Sequence, residues 1–215
     1  MFIAKLLSKN LFFNVANHFS QLAKKSRTNG NAEKIAKEQP GKPSLDIYKL
    51  GDDVLRQNSK RITKVDESIR KLAREMLQSM YAAKGIGLAA PQIGINKELL
   101  VIDVNFEDSA AEPLILINPE ITDFGTTLNS YEEGCLSIPG VYLNVVRPST
   151  IKLKFRDEMG RPRKMKADGL LARCIQHEMD HLNGILFVDR VTSKDDLNKE
   201  LLKEGFNEKD VISIN

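Results

Sequence analysis

The stretch DGLLARCIQHEMDHLNG, residues 168–184, decides how the rest of the chain is interpreted. Its apolar residues recur at intervals of three and four, a spacing that predicts a helix from about residue 168 to residue 183. Gly184 then supplies the glycine that commonly follows the last helical turn. Two stripes run along this helix, so most of its surface is predicted to be buried. One stripe holds Leu170, Cys174, His177 and His181, and the other holds Leu171, Ile175, Met179 and Leu182.

The segment HEMDH at residues 177–181 indicates a metal site. Histidines four positions apart lie on one face of a helix, where both imidazoles can bind one divalent metal ion. Glu178 directly follows the first histidine and is placed to act as a general base on a water held by that ion. The alternative is a pair of histidines on a solvated helix face, but imidazoles in a buried helix need partners. The pattern therefore favours a metal ion bound by His177 and His181.

The third ligand must be a cysteine or a carboxylate from elsewhere in the chain. The long metalloprotease motif continues as H-x-x-G-x-x-H, and this sequence follows it as far as Gly184 but has Phe187 where the third histidine would stand. Two cysteines compete, Cys174 on the helix itself and Cys135 in the segment EGCLS. A ligand from a separate element holds a helix-borne pair more firmly. Cys135 is therefore preferred, and Cys174 is interpreted as apolar packing.

A ligand set of one cysteine and two histidines has chemical consequences. It leaves a fourth coordination position open for water, as in catalytic rather than structural sites. The thiolate suits Fe(II) and Zn(II) equally well, so the spacing does not choose between them. The sequence predicts a catalytic metal site without naming its metal.

The residues around the central helix predict an α+β fold. Asp66 can cap an earlier helix that stops near residue 85, and a last helix is predicted at residues 194–203. Because the predicted strands cluster between the helices instead of alternating with them, we expect short, mostly antiparallel strands packed around a central metal-binding helix, with a long helix on its N-terminal side and a C-terminal helix. The predicted strands span residues 99–104, 114–117, 141–146, 151–155 and 161–166.

A glycine-rich segment, GIGLAAPQIG at residues 85–94, precedes the strands. Its opening fits the dinucleotide-binding pattern G-x-G-x-x-A, but that reading requires a strand before the segment and a helix after it. Here a helix comes first, and Pro91 and a strand follow, so a Rossmann fold is excluded. We interpret the segment as backbone that approaches another group closely and brings the amide of Gln92 toward a site.

Length and composition exclude several classes of protein. With 215 residues, 41% of them hydrophobic and 28% charged, the chain is in the ordinary range for one globular domain with a tail. A net charge of +3 is too small to argue for a nucleic-acid-binding protein. No apolar run approaches the ~20 residues of a membrane-spanning helix. The two cysteines cannot form a disulfide framework and are interpreted as thiols in a reducing compartment.

The chain is predicted to have three parts. Residues 1–43 form a leader and linker with no acidic residue before Glu33. This composition fits an organelle transit segment, a flexible leader, or a wrongly assigned start. Residues 44–191 are the predicted catalytic domain, and residues 192–215 are a C-terminal helix and tail.

Three segments together resemble the sequence motifs of peptide deformylases, in the same order. They are GIGLAAPQIG at residues 85–94, EGCLSIP at residues 133–139 and QHEMDHL at residues 176–182. The resemblance extends from about Ser44 to Val191. It is strongest to the bacterial type, in the branch that contains cyanobacterial and plastid enzymes.

The resemblance implies hydrolysis of the N-formyl group of formylmethionine at the start of nascent polypeptides, with release of formate. It implies Cys135, His177 and His181 as metal ligands and Glu178 as the catalytic carboxylate. The oxyanion donors would be the Gln92 side chain and the backbone N–H of Leu136. Fe(II) is the metal implied in the cell, with Zn(II) or another divalent ion in isolated or organellar forms.

Substrate contacts and partners are less well specified by the sequence. The candidates for binding the substrate are Gly87, Tyr131 and Leu170. The expected partners are N-formylmethionyl nascent peptides and, transiently, the ribosome, with no specific nucleic acid and no membrane. The basic segment 161–166 is interpreted as a solvated turn, and residues 192–215 carry more acids than lysines. The expected location is the bacterial cytoplasm, or an organelle if the leader is a transit peptide.

Two other functions compete with this interpretation. A zinc endopeptidase also uses HExxH, but the missing third histidine and the cysteine of EGCLS argue against it. A non-catalytic metal-binding module could use the same ligands structurally, but it would not need Glu178 and Gln92.

Overall fold

The structure, a computed structural model, describes residues 45–214 with the exception of residues 106, 107 and 109, so the predicted leader 1–43 lies outside the described residues. The described part contains three helices, connected by strands and short 3-10 turns. The helices are α1 (Glu67–Ala82), α2 (Gly169–Leu182) and α3 (Lys194–Lys203). The strands are β1 (Gly87–Ala89), β2 (Leu99–Ile102), β3 (Leu114–Phe124), β4 (Leu128–Cys135), β5 (Ile138–Pro148), β6 (Thr150–Arg156) and β7 (Pro162–Asp168).

The strands form two antiparallel sheets. Five of them make a sheet in the order β1-β2-β3-β6-β7, and β4 and β5 pair as a separate two-stranded sheet. Every pairing between these strands is antiparallel. The helices flank the sheets and do not alternate with the strands, which confirms the predicted α+β class.

Helix α1 covers one face of the larger sheet. It begins at Asp66, whose side chain accepts hydrogen bonds from the backbone N–H groups of Ser68 and Ile69. Its buried side chains pack against β1, β2 and the start of β3. The predicted three-and-four spacing appears in the buried set, which includes Ile69, Ala73, Met76 and Met80.

Helix α2 lies at the centre of the molecule and contacts strands of both sheets. Ala172 and Ile175 pack on the opposite face of the larger sheet, against residues of β2, β3 and β6. Almost every residue from Leu171 to Leu182 is buried, which agrees with the two predicted stripes. A metal ligand on this helix is therefore flanked by strands of both sheets.

The end of α2 is fixed by Gly184. This residue has φ +69°, in the left-handed region that glycine adopts without strain. A Cβ at this position would lie 2.5 Å from the backbone carbonyl oxygen of Arg56. The predicted glycine after the helix is confirmed, and close packing against residue 56 adds a second reason for it.

Two strands, β1 within the glycine-rich segment and β4, were not predicted, and the other strands differ from the prediction in their length. Strands β3 and β5 are both eleven residues long, extending well beyond the predicted runs. Strand β4 was not predicted as an element because its sequence, LNSYEEGC, is mostly polar and its first five residues are exposed. It is held in place by its pairing with β5.

The C-terminal helix was predicted with the bounds that the structure has. Leu197 and Leu201 bury the inner face of α3 against a cluster that includes β5. The basic segment 161–166 was interpreted as a turn, but nearly all of it belongs to strand β7, because it pairs with β6. The turn lies just before it, and Arg161 and Arg163 both donate to Asp157, at 2.9 Å. Among the described residues, no helix is both long and apolar enough to cross a membrane.

We predict that Gly184→Ala is more destabilising than Gly205→Ala. Both glycines follow a helix and have positive φ, but a Cβ at Gly205 would meet nothing within 4 Å. The Gly205 variant should lose only the conformational preference, about 1–2 kcal/mol. The Gly184 variant also displaces the backbone at residue 56, for a total of about 2–5 kcal/mol. Urea unfolding of both variants measures the difference, and equal losses would contradict the proposed packing constraint.

Candidate metal centre

Three predicted ligands converge at one point. Cys135 lies at the end of β4, and His177 and His181 lie one turn apart on α2. One ligand atom from each, a sulfur and two ring nitrogens, lies within 4.8 Å of the others. The Cys135 Sγ is 3.3 Å from the Nε2 of His181. A sheet and a helix that are far apart in sequence therefore bring these three side chains together.

The chemistry of this cluster fits a divalent cation. One thiol and two imidazoles are donors that iron and zinc accept. Burial lowers the pKa of His181, which favours the neutral ring whose nitrogen lone pair can bind a metal. Among the described residues, the buried Oε2 of Glu178 has no hydrogen-bond partner, so an acceptor stands free beside the cluster.

The second cysteine occupies a different environment. Cys174 is buried in the apolar cluster between α2 and the larger sheet. Burial raises the pKa of its thiol, so the neutral form that packs as a small apolar group is favoured. It is not a member of the cluster formed by Cys135 and the two histidines.

The ring of His177 is oriented by Glu133. The Oε2 of Glu133 lies 2.9 Å from His177 Nδ1, which leaves Nε2 on the other side of the ring. Burial opposes ionisation of Glu133, but hydrogen bonds from His177 and Arg147 outweigh it and hold the pKa of this carboxyl well below its ordinary value. The ring of Phe187 stacks on the ring of His177, with centroids 5.9 Å apart.

Glu133 belongs to a buried network of charges. Arg147 donates to both of its oxygens, at 2.7 and 2.9 Å, and Arg173 donates to Oε1 at 2.6 Å. Arg147 also donates to Asp180 at 2.7 Å, and Arg190 donates to the same carboxylate. The network joins β4, β5, α2 and the turn after α2 around the ligand cluster.

Glu178 lies in a tight space. Burial raises its pKa to about 7, which suits a group that must accept and return a proton near neutral pH. A Cβ on Gly87 would clash with Glu178 Oε1 and would lie 2.8 Å from Cys174 Sγ. The glycine at this position of β1 is therefore required by the close approach of the sheet to α2.

The amide of Gln92 is fixed in one orientation. Its Oε1 accepts from the backbone N–H of Ala89 at 2.8 Å. Its Nε2 then points to the cluster and donates to Ser137 Oγ at 3.1 Å and to Cys135 Sγ at 3.5 Å. The predicted approach of this amide to the site is present in the structure.

The predicted substrate-binding residues Tyr131 and Leu170 have different environments. Tyr131 is 54% exposed on β4, and the guanidinium carbon of Arg173 is 5.2 Å from its ring centroid. It is linked to the cluster through Arg173 and Glu133. Leu170 is half-buried in the first turn of α2, ahead of Cys174 and His177.

Several residues around the site were missed by sequence reasoning. Glu133 lies in one of the three motifs and Arg147 lies within the span of the resemblance, but neither was given a role. A signal was present in β5, where Leu143, Val145 and Arg147 alternate and all point inward. A charged residue in a buried phase of a strand needs a buried partner.

Comparison with known proteins identifies the class to which this fold and site belong. The sequence model of the family described as polypeptide deformylase matches residues 44–196. A peptide deformylase of Prochlorococcus marinus strain AS9601 is 98% identical over 201 residues, covering 94% of this chain and all of the relative. A Synechococcus peptide deformylase is 62% identical, covering 93% of this chain and all of the relative.

Solved structures of peptide deformylases support the same family assignment. The crystal structure of a peptide deformylase from Synechococcus elongatus in complex with actinonin is 56% identical, with a TM-score of 0.84, and the match covers 85% of this chain and all of that one. A plant peptide deformylase matches with a TM-score of 0.71 at 38% identity, over 78% of this chain and 90% of that one. The chain is an enzyme and belongs to the peptide deformylase family. Its cyanobacterial relatives confirm the predicted branch.

We predict that Glu133→Gln destabilises the fold by about 3–5 kcal/mol, because it leaves Arg173 buried without a counter-charge and Arg147 with Asp180 alone. Folding lowers the pKa of Glu133 from its ordinary 4.5, so its stabilisation is present above that pH and is lost as the pH falls below it. The difference from the unmodified protein should therefore shrink in acid.

Urea unfolding at several pH values measures this effect. Glu132→Gln, at the neighbouring exposed position, is the matched control and should have little effect at any pH. A Glu133 variant as stable as this control would show that the network does not stabilise the fold.

Proposed function

We propose that this chain is a metal-dependent hydrolase that removes the formyl group from the N-formylmethionine of nascent polypeptides and releases formate. The family to which it belongs acts on nascent formylated peptides. One observation carries the finer proposal: Cys135, His177 and His181 form a cluster of candidate metal ligands beside the buried Glu178, whose Oε2 has no hydrogen-bond partner.

The proposed cofactor is a divalent metal ion held by Cys135, His177 and His181. When bound, it would supply Lewis acidity that lowers the pKa of a water molecule and polarises the formyl carbonyl. We propose Fe(II) in the cell, with Zn(II) or another divalent ion possible in isolated protein. The thiolate of Cys135 suits both metals.

Glu178 is the proposed general base and acid. It takes a proton from the attacking water and returns it to the departing amine, because amide hydrolysis requires a better leaving group than an amide anion. A pKa of about 7 allows the same carboxyl group to perform both transfers.

Gln92 and Leu136 are the proposed donors to the oxyanion. Hydrolysis of a formamide passes through a tetrahedral intermediate in which the carbonyl oxygen becomes negative. Donors already aimed at that oxygen stabilise it without reorganisation, and one such donor is typically worth roughly 10²–10³ in rate. The bond from Ala89 to Gln92 Oε1 keeps the Nε2 donor turned toward the cluster.

The proposed partners follow from this reaction. Gly87, Tyr131 and Leu170 are the proposed contacts of the N-formylmethionyl end, and a nascent chain implies transient contact with the ribosome. We propose the bacterial cytoplasm as the location, because nascent chains are made there and the most similar relatives named above are cyanobacterial. Phe187, stacked on His177, argues against the endopeptidase alternative, whose third histidine would stand at that position.

The decisive experiment is release of formate from formyl-Met-Ala-Ser by protein purified without oxygen, with bound metal quantified on the same sample. We expect rapid release with one metal ion per chain. Glu178→Gln should retain the metal and lose nearly all turnover, because only the proton-transferring oxygen is removed. Normal turnover in this variant would overturn the mechanism.

A blocked casein-like substrate distinguishes the alternatives. Its cleavage, without formate release from the formyl peptide, would favour an endopeptidase. A full metal site with neither activity would favour a non-catalytic module.

The two cysteines provide a matched pair for testing the ligand set. We expect Cys135→Ser to lose most bound metal and activity, because a neutral hydroxyl is a poor substitute for a thiolate. Cys174→Ser should keep its metal. Metal analysis and formate release on both variants decide the question, and retention of metal by the Cys135 variant would exclude that sulfur as a ligand.

A further inference from the structure

A short segment near the start of the described chain joins the two elements that carry the proposed oxyanion donors. The backbone N–H of Tyr48 donates to the carbonyl of Gln92 at 2.8 Å, and that of Leu50 donates to the carbonyl of Ser137 at 2.9 Å. Between them, the Lys49 ammonium donates to the carbonyl of Leu136 at 2.7 Å. Residues 48–50 thus fix the positions of both segments relative to each other.

The contact made by Lys49 continues toward the metal ligands. The carbonyl of Leu136 and the N–H of Ser137 belong to one peptide group. That N–H donates to Cys135 Sγ at 3.4 Å. A positive charge therefore lies at one end of a peptide group and the ligand sulfur lies at the other. A charged donor on a carbonyl polarises the amide and makes its N–H a stronger donor.

The position of the Lys49 side chain is itself fixed by a turn. The backbone N–H of Lys49 donates to Asp52 Oδ2 at 2.7 Å, and the N–H of Asp52 returns a bond to the Lys49 carbonyl at 2.9 Å. The side chain therefore begins from a defined backbone point, which reduces the entropy lost when the ammonium binds the carbonyl.

We propose that Lys49 is a positioning residue for the reaction. Through the peptide group of Leu136 and Ser137, it strengthens the hydrogen bond to the Cys135 sulfur and holds the Leu136 backbone in the orientation that its N–H donor needs. The inference rests on the proposed function for the roles of Cys135 and Leu136. Lys49 acts through this peptide group, because its ammonium donates to the Leu136 carbonyl.

The test is Lys49→Met, which removes the ammonium and keeps most of the side-chain length. A hydrogen bond to sulfur lowers the energy of its lone pairs, so a weaker bond moves the sulfur-to-cobalt charge-transfer absorption to longer wavelength. We expect this shift in the variant loaded with Co(II). We also expect kcat to fall about three- to tenfold with KM unchanged, since the donors act mainly in the transition state.

Three further variants make the result interpretable. Lys49→Arg should restore the absorption and kcat, because a guanidinium can donate to the same carbonyl. Lys199→Met, at an exposed position on α3, removes the same charge far along the chain and should change neither quantity. Lys49→Gln, a shorter neutral donor, replaces the methionine variant if urea unfolding shows that the latter is not folded.

The outcomes separate this inference from the proposed function. Unshifted absorption and unchanged kcat in the folded Lys49 variant would overturn the role of Lys49, as would an equal change in the Lys199 variant. If the unmodified, metal-loaded protein releases no formate, the proposed function fails, and the absorption still decides whether Lys49 acts on the Cys135 sulfur.

Discussion

The carboxylate of Glu133 is the interaction on which the rest of the site depends. It lies between Arg147, Arg173 and His177 and makes a bond of 2.6–2.9 Å to each of them. Through these bonds, β5 and α2 are held against β4, whose last residue is Cys135. If this carboxylate were absent, Arg173 would be buried without a counter-charge, Arg147 would keep only Asp180, and the hydrogen bond that orients the His177 ring would be lost.

Burying such a network of charges costs desolvation free energy, and what it provides is a fixed orientation of the His177 ring. Moving ions out of water is expensive, and a well-packed apolar replacement is often equally stable or more so. An apolar group cannot orient an imidazole, however, because orientation requires a bond to Nδ1. The second anchor of the network, Asp180, precedes His181 on the same helix and accepts from Arg147. Both ligand-bearing turns of α2 are thus connected to the same arginine on β5.

The sequence predicted the helices better than the sheet around the site. The period of α2 and the caps of α1 are local properties, and the helix bounds lie close to those expected. Strand β4 has no local signal, since its one buried charged side chain, Glu133, is paired with Arg147 and Arg173, which lie 14 and 40 residues further along the chain. The ligand cluster could be predicted because HEMDH requires a partner and few candidates exist. The residues that orient it depend on pairings that one sequence does not reveal.

Phe187 stands where the long metalloprotease motif has its third histidine, and the third candidate ligand of this chain comes from strand β4 instead. A histidine there would stand within the turn after α2, and all three ligands would then belong to one stretch of chain. Instead the ring of Phe187 is fully buried against His177 and seals one side of it. Taking the third donor from β4 places a sulfur in the same segment as Leu136 and Ser137. One proposed metal ligand, Cys135, and one proposed oxyanion donor, the N–H of Leu136, therefore share one stretch of backbone, so a contact that shifts one of them also shifts the other.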